Sequence, residues 1–498
     1  MPDQVHLAID CGAESGRIIA GLWDGSRMRL EELLRFPTGG SLHDGGLRWE
    51  VERFWTQIEN GLAAAAARFG SSIVSVGADT WGLDYVLLNS AGRLLEMPWH
   101  YRDRRSFGVM ARMLSKVPRA EIFAATGTQF MEINTLCQLA ASELTQPGML
   151  ARADRLLMIP DYFHYRLCGA RVGEFTNATT TQCFHPTQRT WSTDLLTRLG
   201  IPTKMLPPVV APGSRLGSIL KPIAARTGLS SAVEVIAPAT HDTASAVAGL
   251  PALDAAAGGR VAFLSSGTWS LLGVELPEPN LSERALAENF TNEGGTDGRY
   301  RFLKNVMGLW LVQQCRRSFE ERGGLNDYGA LIAGAQNAPA FRSLVDPDDS
   351  RFLNPPDMIP AIIGFCRETG QPEPESKDAF IRCALESLAL KYARVLRAIV
   401  DITGSPVAAI NIVGGGSRNQ LLNQFTADAC QLPVFAGPVE ATALGNLLVQ
   451  ARGAGALSSL DQMKAAASAS SEIERFDPRP DAAWAEAAAR FDSLCKRP

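Results

Sequence analysis

Val5-His-Leu-Ala-Ile9-Asp10-Cys-Gly12-Ala-Glu-Ser15-Gly16-Arg17-Ile18-Ile-Ala-Gly-Leu-Trp23 is two apolar runs around a polar turn punctuated by glycine. Apolar runs of this length, broken by turn residues, predict a β-hairpin. Gly12 and Gly16 let backbone amides approach an anion closely, and Ser15 and Arg17 add a hydroxyl and a positive charge. Asp10, closing the first run, suits a hydrated Mg²⁺. The alternative is a plain hairpin turn in which Asp10 satisfies backbone donors.

The pattern continues outward. Ile73–Ala78 and Tyr85–Asn89 read as strands flanking Asp79-Thr-Trp-Gly-Leu-Asp84, and Phe54–Arg68 reads as a helix with Phe54, Ile58 and Leu62 four apart. Residues 104–157 are mostly helical in pattern, and the threonine-rich stretch Asn177–Gln182 reads as a loop or turn. A second block follows. Val235–Ala237 is a strand, Thr243–Leu250 a small-residue helix, and Val261–Leu264 and Leu271–Val274 are strands around Ser265-Ser-Gly-Thr-Trp-Ser270. This repeats the opening plan of strand, glycine turn, strand. Arg382–Ile399 is a strong helix, Ala409–Val413 a strand closed by Gly414-Gly-Gly416, and Asn419–Cys430 a helix. The sequence therefore divides into two α/β domains, residues 1–247 and 248–498, with an uninformative tail after Leu457.

The chain has 498 residues and a formal charge of −4, with 46% apolar and 20% charged residues. These proportions exclude a disordered or coiled-coil chain and argue against nucleic acid or an anionic membrane as the main partner. No apolar stretch approaches the ~18–20 residues that span a bilayer, and the N-terminus lacks the pattern of a secretory signal. Nine cysteines lie scattered without a C-x-x-C pair, which disfavours a disulfide framework or a zinc ribbon; only Cys366 and Cys383 are spaced to meet across a loop. A reduced, cytoplasmic enzyme fits these features.

Several stretches carry chemistry. Ser265–Ser270 occupies the turn matching Gly12–Gly16, and two donor-rich turns suit a triphosphate. Gly414-Gly-Gly416, between a strand and a helix, permits close contact with a nucleoside, although no Walker pattern occurs anywhere. In His241-Asp242-Thr243, the aspartate is placed either to take a proton from a substrate hydroxyl or to cap a helix. Asp79–Asp84 suits a sugar, with carboxylates for hydroxyls and Trp81 for an apolar face, or else is a solvated turn. Lys304-Asn305 leads into a helix carrying Gln313, whose amides suit a sugar or nucleotide, or a helix cap.

Taken in order, Asp10-x-Gly-x-x-Ser-Gly-Arg17, Asp79-Thr-Trp-Gly82, Tyr101-Arg-Asp103, Thr176–Gln182, His241–Ser245, Leu264–Ser270, Asn292-Glu-Gly-Gly295 and Val413–Gly416 resemble the FGGY carbohydrate kinases over nearly the whole chain. The resemblance implies an actin-like ATPase fold, with two ribonuclease-H-like α/β domains flanking a catalytic cleft. It implies transfer of the ATP γ-phosphate, with Mg²⁺, to a ketose hydroxyl. Pro160–Phe163, Lys304–Trp310, 355–358 and 436–441 narrow the expected acceptor to O1 of L-rhamnulose, with L-fuculose or L-xylulose as alternatives. Carried over by position, Asp242 is the general base; Gly82, His241, Asp242, Thr243 and Asn305 line the sugar site. Ala13, Glu14, Ser15, Gly16, Arg17, Thr268, Gln313 and Gly415 contact ATP, and Asp10 faces the metal through water. A non-catalytic nucleotide- or sugar-binding regulator and an actin-type filament protein are the readings from other classes.

Overall fold

The computed structural model describes residues 4–253, 259–323 and 327–495. In chain order the strands that frame the fold are β1 (Gln4–Cys11), β2 (Ser15–Trp23), β3 (Met28–Pro37), β4 (Ile73–Thr80), β5 (Arg215–Ser218), β6 (Glu234–Ile236), β7 (Arg260–Ser266), β8 (Trp269–Leu276), β9 (Tyr300–Met307), β10 (Val407–Val413), β11 (Val434–Ala436) and β12 (Glu474–Phe476). The helices used below are α1 (Val51–Phe69), α2 (Phe175–Ala178), α3 (Asp242–Ala248), α4 (Trp310–Glu321), α5 (Lys377–Thr403), α6 (Gln420–Cys430), α7 (Ala441–Gly453), α8 (Leu460–Ala469) and α9 (Ala482–Leu494).

The chain folds into two compact units that are not continuous in sequence. The first gathers residues 1–252, 275–302 and 441–471; the second gathers 253–274, 303–440 and 472–498. A division at 247/248 therefore differs from the packing. Residues 248–252, 275–302 and 441–471 lie beyond that boundary but belong to the first unit, the last of them because α7 and α8 carry the apolar surface that covers its sheet. Leu444, Leu447, Leu448 and Met463 join Ala8, Ile19, Trp23 and Met28 in one buried cluster. The tail after Leu457 is thus structural: α8 packs in the first unit, and β12 and α9 fall in the second.

The first unit is built on a sheet of order β5-β6-β4-β1-β2-β3. Strands β1, β2 and β3 are antiparallel neighbours, whereas β4 and β6 join parallel to β1 in succession. Parallel strands in the middle of a sheet are covered on both faces, and β1 accordingly is buried at every position after Gln4. On one face α1 presents Phe54, Ile58 and Leu62, the spacing read from the sequence. On the other, α7 crosses α3 at Ser245, Gly249, Ala441 and Gly445. A Cβ on Gly445 would land on the Ser245 carbonyl oxygen, so only glycine permits the approach.

In the second sheet, which has seven strands, six run β9-β8-β7-β10-β11-β12, the same order as β3-β2-β1-β4-β6-β5, and Thr291–Gly294 adds an edge strand beside β9. Directions also correspond where both are defined. Strands β7 and β8 are antiparallel, β10 and β11 parallel to β7 in turn, and β12 antiparallel at the edge. The repeated plan in the sequence is thus a repeated topology. Helix α5 fixes the β8 end of the hairpin by a 2.7 Å bond between Tyr392 Oη and Ser270 Oγ.

The reading of Asn177–Gln182 as a loop or turn holds only in part. Asn177 and Ala178 end helix α2, Thr179–Thr181 form a 3₁₀ turn, and the stretch is buried throughout. Its threonines turn their hydroxyls onto the backbone. Thr179, Thr180 and Thr181 donate to the carbonyls of Thr176, Asn177 and Ala178 at 2.9, 2.8 and 2.6 Å. A stretch that reads as polar therefore exposes little polarity. Cys366 and Cys383 are both free thiols. No helix among the described residues is long and apolar enough to cross a membrane.

The α3–α7 crossing gives a direct test. Gly445→Ala should destabilise the protein by ~1–3 kcal/mol, the range for overpacking, and lower its melting temperature. Gly364→Ala, where an added Cβ meets nothing closer than 3.9 Å, should not. Thermal unfolding followed by circular dichroism measures both.

Candidate active site

Strands β1, β4 and β6 are parallel, so their C-terminal ends open onto one edge of the first unit's sheet, where α/β proteins build sites. Register sets what meets there. Asp10 lies opposite Asp79, Cys11 opposite Thr80, and Thr80 forms a parallel bridge with His241. On the other side of β1, Asp10 pairs with Arg17 across the hairpin, Nη2 to Oδ2 at 2.5 Å.

The β1–β2 turn is built to offer amides. The Gly12 carbonyl accepts from Thr38 Oγ1 (2.7 Å), Ala13 from Gly39 N–H (3.2 Å), Glu14 from Thr38 N–H (3.1 Å) and Ser15 from Gly12 N–H (2.9 Å). With those carbonyls engaged, the polar groups left to the turn are donors, which suits phosphate oxygens. The Glu14 side chain is exposed, so water screens its charge.

Two carboxylates abreast cannot both be buried and charged cheaply. Burial first, and Asp10 second, push the Asp79 carboxyl well above its ordinary value, favouring the neutral acid. Asp79 is fully buried and takes a bond from Asn446 Nδ2 on α7 at 2.5 Å. A buried polar chain continues behind it. Gln450 Nε2 donates to Asn446 Oδ1 (2.5 Å) and to the Leu7 carbonyl (3.0 Å); Ser75 Oγ donates to Gln450 Oε1 (2.7 Å); His6 Nδ1 meets Ser75 Oγ (2.7 Å). Burial brings His6 down to about 4, so it stays neutral at pH 7.

Asp242 opens α3, with His241 as the cap position. Its side chain does not cap the helix. Asp242 Oδ1 accepts from Thr243 N–H at 2.5 Å and from Thr243 Oγ1 at 3.1 Å, and His241 Nε2 stands 3.4 Å away. Among the described residues nothing bonds to Oδ2, and the side chain is 32% exposed. One oxygen is thus anchored and the other faces outward, the arrangement a general base needs.

The strand-to-helix segment is held by a residue that spacing arguments missed. Glu174, fully buried, accepts from Thr176 N–H and Oγ1 and, 66 residues on, from Thr240 N–H (3.0 Å) and Oγ1 (2.7 Å). Burial raises its carboxyl while those hydrogen bonds oppose the rise. Thr176 Oγ1 in turn accepts from His241 N–H at 3.2 Å. Glu293, given no role, and Arg301, equally missed, complete the surroundings of His241. A lone arginine between Tyr300 and Phe302 in an apolar strand is the signal that marks it.

The Asp79–Asp84 segment is not a solvated turn. Trp81 is buried against Trp49, ring centres 4.1 Å apart. Asp84 accepts from Trp49 Nε1 (2.5 Å), Trp81 Nε1 (3.0 Å), Tyr101 N–H (3.2 Å) and Gln138 Nε2 (2.8 Å). Its oxygens are committed to the scaffold rather than to a sugar, and Gly82 lies beside Thr180, where a Cβ would meet Thr180 Oγ1 at 3.0 Å.

In the second unit the corresponding hairpin turn, Gly267-Thr268, is fastened to the start of α4. Gly308 and Trp310 N–H donate to the Thr268 carbonyl at 3.1 and 3.3 Å, and Leu309 N–H to the Gly267 carbonyl at 2.9 Å. Gly414 and Gly416 sit against Ser266, while Gly415 between them is exposed with open space around it. Asn305 lies in β9 and Gln313 in the first turn of α4.

The chain resembles known proteins over nearly its whole length. Residues 5–249 match the model of the FGGY family of carbohydrate kinases, N-terminal domain, and residues 262–454 that family's C-terminal domain. The chain is 43% identical over 490 residues to a rhamnulokinase of Pectobacterium atrosepticum, covering 98% of this chain and 96% of that one. It is 41% identical over 493 residues to one of Bacteroides thetaiotaomicron, covering 99% and 100%. Among solved structures, a xylulose kinase from Rhodospirillum rubrum superposes with TM-score 0.77 at 21% identity over 98% and 97% of the two chains. Plasmodium falciparum glycerol kinase does so with TM-score 0.77 at 14% identity over 100% and 98%. Those structures establish the fold, the actin-like ATPase arrangement of two α/β domains.

Asp84 gives a pH test. Burial lifts its carboxyl from 3.8 to about 6, against the four hydrogen bonds that oppose it. Because the folded state holds the proton more tightly than the unfolded one, stability is greatest below about pH 4 and falls as pH rises through 6, by ~3 kcal/mol from this group. Asp84→Asn should remove that component. Denaturant midpoints for both proteins between pH 4 and 7 measure it, and parallel slopes would contradict the assignment.

Proposed function

The chain belongs to the FGGY family of carbohydrate kinases, and on that premise we propose that it transfers the γ-phosphoryl group of ATP to O1 of L-rhamnulose. The observation that carries the chemistry is Asp242, with Oδ1 anchored by Thr243 and Oδ2 open. The full-length likeness to two rhamnulokinases supports the sugar.

Bound MgATP supplies the phosphoryl group and, through Mg²⁺, neutralises charge in an in-line displacement. Asp242 Oδ2 accepts the O1 proton as the O1–phosphorus bond forms and the bond to the ADP oxygen breaks. Thr243 keeps the carboxylate from rotating. His241 and Thr243, its neighbours in the chain, and Gly82 are the further sugar contacts we assign in the first unit, with Asn305 in the second.

For the nucleotide we assign the amides of Ala13–Gly16 and the Arg17 side chain in the first unit, and Thr268, Gln313 and Gly415 in the second. The engaged carbonyls of the β1–β2 turn support the former, and the open space at Gly415 the latter. Mg²⁺ in such reactions takes one or two carboxylates and fills the remaining positions with water and substrate phosphates. Asp10, at the end of β1, fits that pattern. No cluster of three or more ligand side chains among the described residues would hold a metal by itself.

Asp242→Asn should lower kcat by roughly 10²–10⁴-fold, the usual contribution of a general base, with the affinity for sugar little changed. ADP release measured over a set of ketoses tests the acceptor. L-Rhamnulose should give the highest kcat/KM, and L-fuculose or L-xylulose exceeding it tenfold would reassign the substrate.

A further inference from the structure

His241 has two ring nitrogens, and the surroundings of each are different. Nε2 faces Asp242 Oδ1 at 3.4 Å. Nδ1 faces Arg301 Nη2 at 3.1 Å and Glu293 Oε2 at 3.3 Å. Arg301 is itself fixed. It is fully buried, its Nε donates to the Gly294 carbonyl at 3.0 Å, and its Nη2 lies 3.2 Å from Glu293 Oε2. The His241 backbone is pinned by Thr176 Oγ1 and by the bridge to Thr80.

A guanidinium carries donors only and does not deprotonate in proteins. An imidazole nitrogen within hydrogen-bond reach of it must therefore be the unprotonated one. We infer that Arg301 is a positioning residue which sets the tautomer of His241: its N–H occupies the Nδ1 lone pair, so the ring proton sits on Nε2, the nitrogen 3.4 Å from Asp242 Oδ1.

The inference builds on the reading of Asp242 as the base. The two donors of Thr243 hold Oδ1, and a neutral Nε2–H 3.4 Å away adds a favourable dipole there, leaving Oδ2 to the sugar. Without Arg301, Glu293 Oε2 is the nearest group to Nδ1 and would draw a proton there. The ring would then either turn a lone pair toward Asp242 or carry a proton on both nitrogens. A lone pair repels the carboxylate; an imidazolium pairs with it and lowers its basicity. Glu293, on this account, balances the charge of Arg301 and does not choose the tautomer.

The tautomer can be read without sugar or nucleotide, so this test is separate from that of the base. Long-range ¹H–¹⁵N spectra of the ¹⁵N-histidine-labelled full chain at neutral pH resolve the two nitrogens of each of its six histidines, and His241→Gln identifies the signal. The wild-type ring should be neutral with the proton on Nε2. Arg301→Lys, which keeps a donor, should preserve that pattern, and Glu293→Gln should too. Arg301→Met should give a doubly protonated ring or one carrying its proton on Nδ1. Its kcat should fall by roughly tenfold or more, with KM for ATP within about twofold. A wild-type ring protonated on Nδ1 overturns the inference, as does an unchanged tautomer in Arg301→Met. Should Arg301→Met not fold, the wild-type and Arg301→Lys spectra decide the matter alone.

Discussion

Asp10, Asp79 and Asp242 reach the same edge of one sheet, and the site depends on how their negative charge is contained. Strand register makes the crowding unavoidable, since Asp10 faces Asp79 across β1 and β4. Three different devices relieve it. Asp10 is paired with Arg17, Asp79 is buried until the neutral acid is favoured, and Asp242 stays in part open to water. Only the last combines partial exposure with an oxygen that no neighbour holds, and it is the one assigned to chemistry. The pattern follows the general rule that acid and base roles emerge where environments separate groups of like intrinsic strength.

The same edge shows why so much polar structure is buried. Glu174 gathers four donors from Thr176 and Thr240 and so sets the angle at which the chain enters α3. Asn446 and Gln450 reach from α7 to Asp79 and to the β1 backbone. Buried networks of this kind favour one arrangement of the elements they join. Here they join segments far apart in the chain, which gives them more leverage on geometry than a local turn has.

Much of this was legible in the sequence, and the failures have physical causes. The hairpins, α1, α5, the strand ends carrying Asp10 and Asp79 and the start of α3 carrying Asp242 follow from apolar period and from turn residues, because those elements are held by local pattern and burial together. The threonine stretch misled because side-chain hydroxyls bonded to their own helix leave no polarity to display, something composition does not reveal. Asp84 misled in the opposite sense. Its carboxylate looked available for a sugar, but two indoles, a backbone amide and a glutamine claim it. Glu174 and Arg301 were missed, and Glu293 was given no role, because the contacts that matter, with Thr240 and His241, lie about fifty or more residues distant, where spacing rules say nothing. The discontinuous units escaped for the same reason: the helices that cover the face of β1–β3 opposite α1 come from the last quarter of the sequence.

That last arrangement has a bearing on biosynthesis. The sheet of the first unit is complete once β6 has emerged from the ribosome, yet the apolar face awaiting Leu444, Leu447 and Leu448 stays uncovered until translation passes α7. At about 5–20 residues per second the wait is on the order of ten seconds or more. Throughout that interval the nascent chain displays a sticky, nearly finished sheet, the kind of surface that chaperones shield, and most of the second unit, all but its last segment 472–498, is synthesised before the first can close.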